Sequence, residues 1–272
     1  MRLSIITATY NRPNKLRAIA LPHLLNQSDC DFEWVVVNDG ANPYTKVIVE
    51  ELKAPFSINY IETKHHETGF GLCHARNAGI KAARGDLIGY IDDDNSLFPD
   101  FVANTKLFFK ANPYLKYSMT LQNRRRDIVK NNKTISTGKV FFSPNIGCNI
   151  EELILQDQIF DSNGFTHHNN NSLVWNPSLT VFADYEFLLQ CISLFGRETF
   201  KVNPQVLVSY IQSSEGAIGS STYEQWGSEL KQIVDDNLKY NLKENEINKL
   251  IELSNKYLAK GNKRVIAFID NQ

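Results

Sequence analysis

The chain predicts an α/β fold, a mostly parallel sheet flanked by helices with a C-terminal helical extension. Three observations predict it. Strand-like apolar runs alternate with helical patterns up to about Lys110. The run Phe32–Val37 is apolar almost throughout, as in a strand covered on both faces. From Tyr223 the apolar residues recur at helical spacing.

Taken in order, Leu3–Thr7 reads as the first strand. Asn11 with Pro13 close behind marks a helix start, running toward Leu25, with Pro22 expected to kink or end it. Phe32–Val37 is the second strand, Tyr44–Leu52 a helix and Ser57–Ile61 the third strand. Leu72–Ala83 is an alanine-rich helix with Gly85 as the expected C′ residue. Leu87–Ile91 is the fourth strand, and Phe101–Lys110 a helix after Pro99. Beyond it, Tyr117–Gln122 and Gly138–Phe142 read as strands, separated by a polar stretch, 123–137, expected to be a mobile loop. Asn169–Asn171 is a loop, Phe182–Leu194 a helix, Val206–Tyr210 a strand and Ser213–Ser221 a flexible crossing. In the tail, Trp226, Leu230, Ile233, Val234 and Leu238 share one helix face. Ile247, Leu250, Ile251, Ser254 and Leu258 repeat the pattern in a second helix, closed by Gly261.

Bulk properties exclude several classes. With 272 residues, 42% hydrophobic and 22% charged, the chain can bury one large core or two small ones. A net charge of −1 gives no global field toward nucleic acid. Cys30, Cys73, Cys148 and Cys191 lie far apart, which is neither a zinc spacing nor a disulfide framework. They read as buried thiols in a reducing compartment. The N-terminus lacks the pattern of a signal peptide, and no apolar run approaches the roughly 20 residues a transmembrane helix needs. The expectation is a cytoplasmic protein, with peripheral contact at the inner face of a membrane left open.

The chemistry concentrates at Asp92-Asp93-Asp94-Asn95, directly after a core strand. Three adjacent carboxylates repel one another and resist burial unpaired. A divalent cation with oxygen ligands, carrying a phosphate-bearing substrate, would account for them; a turn or helix cap is the alternative. In open parallel sheets ligands bind beyond the carboxyl ends of the strands. Thr9-Tyr10-Asn11, Asn38-Asp39-Gly40 and the aspartates all follow such strands.

The elements Ser4-Ile-Ile-Thr-Ala-Thr-Tyr-Asn-Arg12, Val35-Val-Val-Asn-Asp39-Gly, Ala75-Arg76-Asn77-Ala-Gly79-Ile, Tyr90-Ile-Asp92-Asp-Asp94-Asn and Phe182-Ala-Asp184-Tyr-Glu resemble, in order, family 2 glycosyltransferases of the GT-A fold. The resemblance implies a nucleotide-sugar donor, a divalent metal and, usually, inversion at the sugar carbon. On it, 1–115 is the nucleotide-sugar-binding half, 116–222 the acceptor-binding half of the same domain, and 223–272 a helical tail. The donor is expected to be a UDP-sugar, and the acceptor a hydroxyl on a glycan or glycoconjugate.

The residues carry roles beside that resemblance. Asp39 would accept from the uracil N3–H, Tyr10 cover the base face, and the backbone near Ala8 meet the base edge. Arg76, after Gly69 and Gly71, suits a diphosphate through paired charge-assisted bonds; a surface arginine paired with a carboxylate is the alternative. By the resemblance Asp94 holds the metal, while Asp92 or Asp93 meets the ribose or assists it. Oxygen-only ligation points to Mg2+ or Mn2+. Asp184, near a helix start, is the expected base; its rival Glu186, two residues on, cannot share its face.

Three departures from the family stand out: Ala183 in place of a first acidic residue, Ala8 in place of a proline, and Tyr210-Ile-Gln212-Ser213 without a histidine. Gln212 or water would fill that ligand position. The acceptor side is less legible. His167 and His168, Trp175 and Trp226, and Arg124–Arg126 are candidates, each with a core or solvated-loop alternative. Two rival functions remain: a sugar-phosphate nucleotidyltransferase, disfavoured because Thr7–Pro13 lacks glycine, and a non-catalytic nucleotide-sugar or glycan-binding module.

Overall fold

The computed structural model describes residues 1–131 and 133–265. Strand β1 (Leu3–Tyr10) sits between β2 (Phe32–Asp39) and β4 (Leu87–Tyr90), parallel to both, and β3 (Ser57–Thr63) extends the sheet beyond β2. The order continues β3-β2-β1-β4-β9-β6-β10-β5, with β5 at Ser96–Leu97, β6 at Tyr117–Lys130, β9 at Phe165–His168 and β10 at Phe200–Ser213. β9 runs antiparallel to both β4 and β6, and β10 lies parallel to β6. The sheet therefore passes without interruption from the first half of the chain into the second.

Alternation on β1 explains the layers. Leu3 and Ile5 bury toward one face with Leu16, Leu24, Trp34 and Phe101. Ile6 and Ala8 bury toward the other with Val35, Val37, Ile80 and Leu188. α1 (Pro13–Lys15) leads into the segment Leu16–Ala20, which with α2 (Leu21–Leu25), α3 (Pro43–Glu50) and α5 (Phe101–Ala111) covers the first face. The second is covered by α4 (Gly71–Ala82), α6 (Ile150–Ile154) and α7 (Ala183–Phe195). A short α8 (Ala217–Ser220) follows β10, and α9 (Tyr223–Asp235) and α10 (Glu244–Leu258) form the C-terminal helical pair.

Several local expectations change. Pro22 does not end its helix: a π-helical segment, Leu16–Ala20, precedes it and places Pro22 in the first turn of α2, where a missing N–H costs little. Gly85 is not a left-handed C′ residue. α4 ends at Ala82, and a Cβ on Gly85 would lie 2.7 Å from the Ser4 backbone nitrogen, so this glycine serves close approach to β1.

Residues 123–130 and 133–137 of the polar stretch are strand, not loop. β6 runs through Arg124–Arg126 to Lys130 and pairs with β7 (Lys133–Thr137), β8 (Phe141–Ser143) and β10. Tertiary partners permit this. Arg124 is buried over the Tyr210 ring at 4.1 Å, Arg125 pairs with Asp127, and Arg126 donates to Gln212. The tail stripe is also narrower than expected: Leu238 is 95% exposed in a 3₁₀ turn, and Ile251 is exposed on α10.

Gly164 precedes β9 with φ +80°, and a Cβ there would meet Thr120 Cγ2 at 2.6 Å and Val208 Cγ2 at 2.7 Å. Gly164→Ala is therefore expected to lower stability by about 2 kcal/mol or more, from backbone strain plus overpacking. Urea unfolding checks this; a loss below about 0.5 kcal/mol would contradict the packing described.

Candidate functional site

A cavity of about 520 Å³ opens beyond the carboxyl ends of β1, β2 and β4. Ala8, Tyr10, Asp39, Asp92, Asp94 and Gln212 all line it. Three separate strand ends thus deliver the expected residues to one place, as an open parallel sheet should.

In the base corner, Asp39 closes β2 and is buried. Its Oδ2 lies 2.7 Å from His65 Nδ1, and Tyr10 stacks on the His65 ring at 3.9 Å. Gly71, at the first position of α4, makes room here: a Cβ would sit 2.9 Å from His65 Cε1 and 3.2 Å from Asp39 Oδ2. The sequence does not single out His65, since the adjacent pair His65-His66 lacks the i, i+4 spacing that sets two imidazoles on one helix face.

The three aspartates divide. Asp94 is half-exposed in the cavity and its Oδ2 takes Arg12 Nη1 at 3.1 Å and Lys15 Nζ at 3.0 Å. Asp93 is fully buried and does not line the cavity. Thr9 donates to it at 2.7 Å, and Arg12 Nη2 lies 2.8 Å from its other oxygen. Burial pushes the Asp93 carboxyl up to about 7 although Arg12 opposes the shift. The protein's own Arg12 and Lys15 therefore offset part of the charge that a divalent cation was expected to balance. A basic pair three apart at the helix start after β1 was the available signal.

Asp92 belongs to a buried network. Asn163 accepts from its backbone N–H at 2.8 Å and donates to its Oδ2 at 3.0 Å, while Arg76 donates to Oδ1 at 2.9 Å. Burial raises the Asp92 carboxyl, but Arg76 and Asn163 outweigh it and hold it below the usual range. Beneath it, burial pushes Asp161 up to about 6.

Arg76 lies elsewhere than expected. It is buried, does not line the cavity, and packs its guanidinium 4.3 Å from the centre of the Trp175 ring. One nitrogen holds Asp92, and the other holds Asp184 Oδ1 at 2.8 Å. It is a clamp between two carboxylates rather than a group facing the cavity. The first turn of α7 presents Asp184 partly exposed, whereas Glu186 is buried and accepts from Tyr240 Oη at 2.8 Å and Gln190 at 2.7 Å. Of the two acids, Asp184 is the one that solvent reaches.

The acceptor-side candidates resolve toward the core. His167 is fully buried on β9. Its Nδ1 faces the His168 carbonyl, which can only accept, so Nε2 accepts from Tyr90 Oη at 2.8 Å. His168 belongs to the same strand. Trp175 is fully buried against Phe187, and Trp226 packs on Phe182.

Burial lowers His167 to about 4 from its ordinary 6.5. The unfolded chain protonates first as pH falls, so this stability is present above about 6.5 and lost between there and about 4. From pH 7 to pH 5 this single group should cost about 2 kcal/mol. His167→Gln should flatten that part of the urea-denaturation pH profile; an unchanged slope would contradict a buried neutral imidazole.

Oxygen donors from Asp92, Asp94 and Gln212 line the cavity. Among the described residues no group of three or more His, Cys, Asp or Glu side chains is arranged to hold a metal. This set fits a hard cation of the Mg2+ kind, which binds one or two carboxylates and completes its shell with water and substrate phosphates. Both basic contacts to Asp94 use Oδ2, which leaves Oδ1 for such an ion. No helix among the described residues is long and apolar enough to cross a membrane.

Known proteins agree with this architecture. A 101-residue stretch is 37% identical to the chondroitin synthase of Escherichia coli, covering 37% of this chain but 14% of that protein. An uncharacterized glycosyltransferase of Haemophilus influenzae is 23% identical over 230 residues, covering 81% of this chain and 72% of the relative. Among solved structures, S. aureus TarS 1–349 in complex with UDP superposes with a TM-score of 0.67 at 17% identity, over 96% of this chain and 73% of that one. A mannosyltransferase of Pyrobaculum calidifontis, solved with GDP-Man and Mn2+, gives 0.59 at 15% identity, over 94% of this chain and 74% of that one. These likenesses establish the GT-A-like fold. The model of the family "Glycosyl transferase family 2" matches residues 4–172, and the chain belongs to that family.

Proposed function

We propose that this glycosyltransferase moves a hexose from a UDP-sugar to a hydroxyl on a glycan or glycoconjugate, with inversion and with Mn2+ or Mg2+. The observation that carries the reading is the single cavity onto which Ala8, Tyr10, Asp39, Asp92 and Asp94 converge. TarS has been solved with UDP-GlcNAc, which supports a uridine donor here.

In this reading Asp39 accepts from the base N–H, Tyr10, backed by the His65 ring, covers the base face, and Asp92 meets the ribose. Asp94, with Asp92 and Gln212, would hold the cation, whose chemistry is stabilisation of charge on the departing diphosphate. Arg12 and Lys15 add fixed positive charge beside it. An acceptor hydroxyl oxygen attacks the anomeric carbon, the bond from that carbon to the diphosphate oxygen breaks, and UDP leaves with the electron pair. The hydroxyl proton goes to Asp184. Arg76 holds Asp184 and Asp92 in one frame, so the base and the donor site keep a fixed separation.

Incubation of the purified chain with a panel of UDP-sugars and Mn2+ tests this. UDP release or transfer is expected from at least one donor, and Asp94→Ala should reduce it at least about 100-fold, as loss of a preorganised charge stabiliser does. Full activity in excess chelator would remove the metal role. Pyrophosphate release from a nucleoside triphosphate and a sugar phosphate would instead favour a nucleotidyltransferase.

A further inference from the structure

The segment before Asp184 is capped from outside its own helix. Helix α7 begins after Phe182, whose side chain offers no capping oxygen. A helix start leaves backbone N–H groups without intrahelical partners, and burial makes each expensive. Here Glu229, on α9, meets the one at Phe182 together with the two N–H groups just before it. Its Oε2 accepts from three consecutive backbone N–H groups, Thr180 at 3.0 Å, Val181 at 2.8 Å and Phe182 at 3.0 Å. Its Oε1 accepts from Gln225 at 3.0 Å, and Glu229 itself is 7% exposed. A buried carboxylate at this end also complements the helix dipole.

The tail grips α7 a second time, through Tyr240 and Glu186. Gly227 lets α9 close on α10: a Cβ there would lie 2.6 Å from Leu258 Cγ, and Ser254 donates to the Gly227 carbonyl at 2.8 Å. The helical pair is thus braced, and Glu229 projects from it into the turn that aims Asp184.

We infer that Glu229 is a positioning residue for the transfer step: through residues 180–182 it sets the start of α7 and hence the placement of Asp184. The tail is then part of the catalytic frame, although it lies outside the stretch that the family model matches. This rests on the reading of Asp184 as base.

The test compares wild type, Asp184→Asn, Glu229→Asp, Glu229→Ala and Glu229→Gln. It uses UDP release from the UDP-sugar that wild type turns over fastest, and calorimetric titration with UDP. Glu229→Asp keeps the charge but shortens the reach, and reads the same effect if the alanine variant does not fold. Both are expected to lower kcat tenfold or more, with UDP Kd and donor KM within twofold of wild type. Glu229→Gln retains an acceptor oxygen and should recover most of kcat. Wild-type kcat in Glu229→Asp while Asp184→Asn is inactive would overturn this role and leave the base reading intact. A parallel loss of kcat and UDP affinity would reduce Glu229 to general structural support and overturn it too. Full turnover by Asp184→Asn would remove the base reading itself, and this inference with it.

Discussion

Asp184→Asn is expected to cut turnover by roughly 10²–10⁴, the usual worth of a positioned general base, while UDP affinity stays within about threefold of wild type. The substitution keeps shape and one acceptor oxygen but cannot take up the hydroxyl proton. The Arg76 Nη1 contact, 2.8 Å in the native protein, can persist to the amide oxygen, so the fold should survive. Steady-state kinetics with a UDP-sugar and calorimetry with UDP separate the two quantities. A fall in kcat/KM arising wholly from KM would place Asp184 in donor binding, and unchanged turnover would exclude it from the chemistry. Glu229 and Tyr240 both hold α7 from the tail, which makes the position of this acid a property of the whole chain rather than of one turn.

The second large effect is on stability. Arg76 is fully enclosed and paired with both Asp92 and Asp184, and those two neighbours keep its guanidinium charged despite the burial. Arg76→Met preserves much of the packing on Trp175 but leaves Asp92 without its cation. Breaking a buried pair from one side typically costs about 3–5 kcal/mol. Adding Asp92→Asn should return part of that loss, because the remaining buried charge is then gone. Urea denaturation of the two single variants and the double variant measures the coupling. A cost below about 1 kcal/mol for Arg76→Met, or strict additivity in the double variant, would contradict the clamp.

Much of the sheet was legible because its signals are local. β1 and β2 are short runs of strand length, buried nearly end to end, so position and type followed from local sequence. The convergence of Asp39, Asp92 and Asp94 was legible for a related reason, since strand ends in a parallel sheet point the same way. What failed depended on distant partners. Arg124–Arg126 read as solvated because charge usually marks surface, yet Tyr210, Asp127 and Gln212 neutralise or cover each one on β6. Arg76 carried the signature of a phosphate ligand. Nothing in its own helix reveals that Asp184, 108 residues later, supplies its partner. Arg12, Lys15 and Glu229 escaped for the same reason: each acts on a segment far from it in sequence.

On the function proposed, the cavity beyond β1, β2 and β4 holds a uridine diphosphate through Asp39 at one end and the Asp94 corner at the other. Calorimetric titration of UDP into wild type, Asp39→Ala and Asp94→Ala, each with and without Mn2+, tests it most directly. Saturable one-site binding to wild type is expected. Asp39→Ala should weaken it at least about tenfold, the cost of a lost hydrogen bond to a charged acceptor. Asp94→Ala should abolish the Mn2+ dependence alone. Equal UDP affinity in wild type and Asp39→Ala would contradict it.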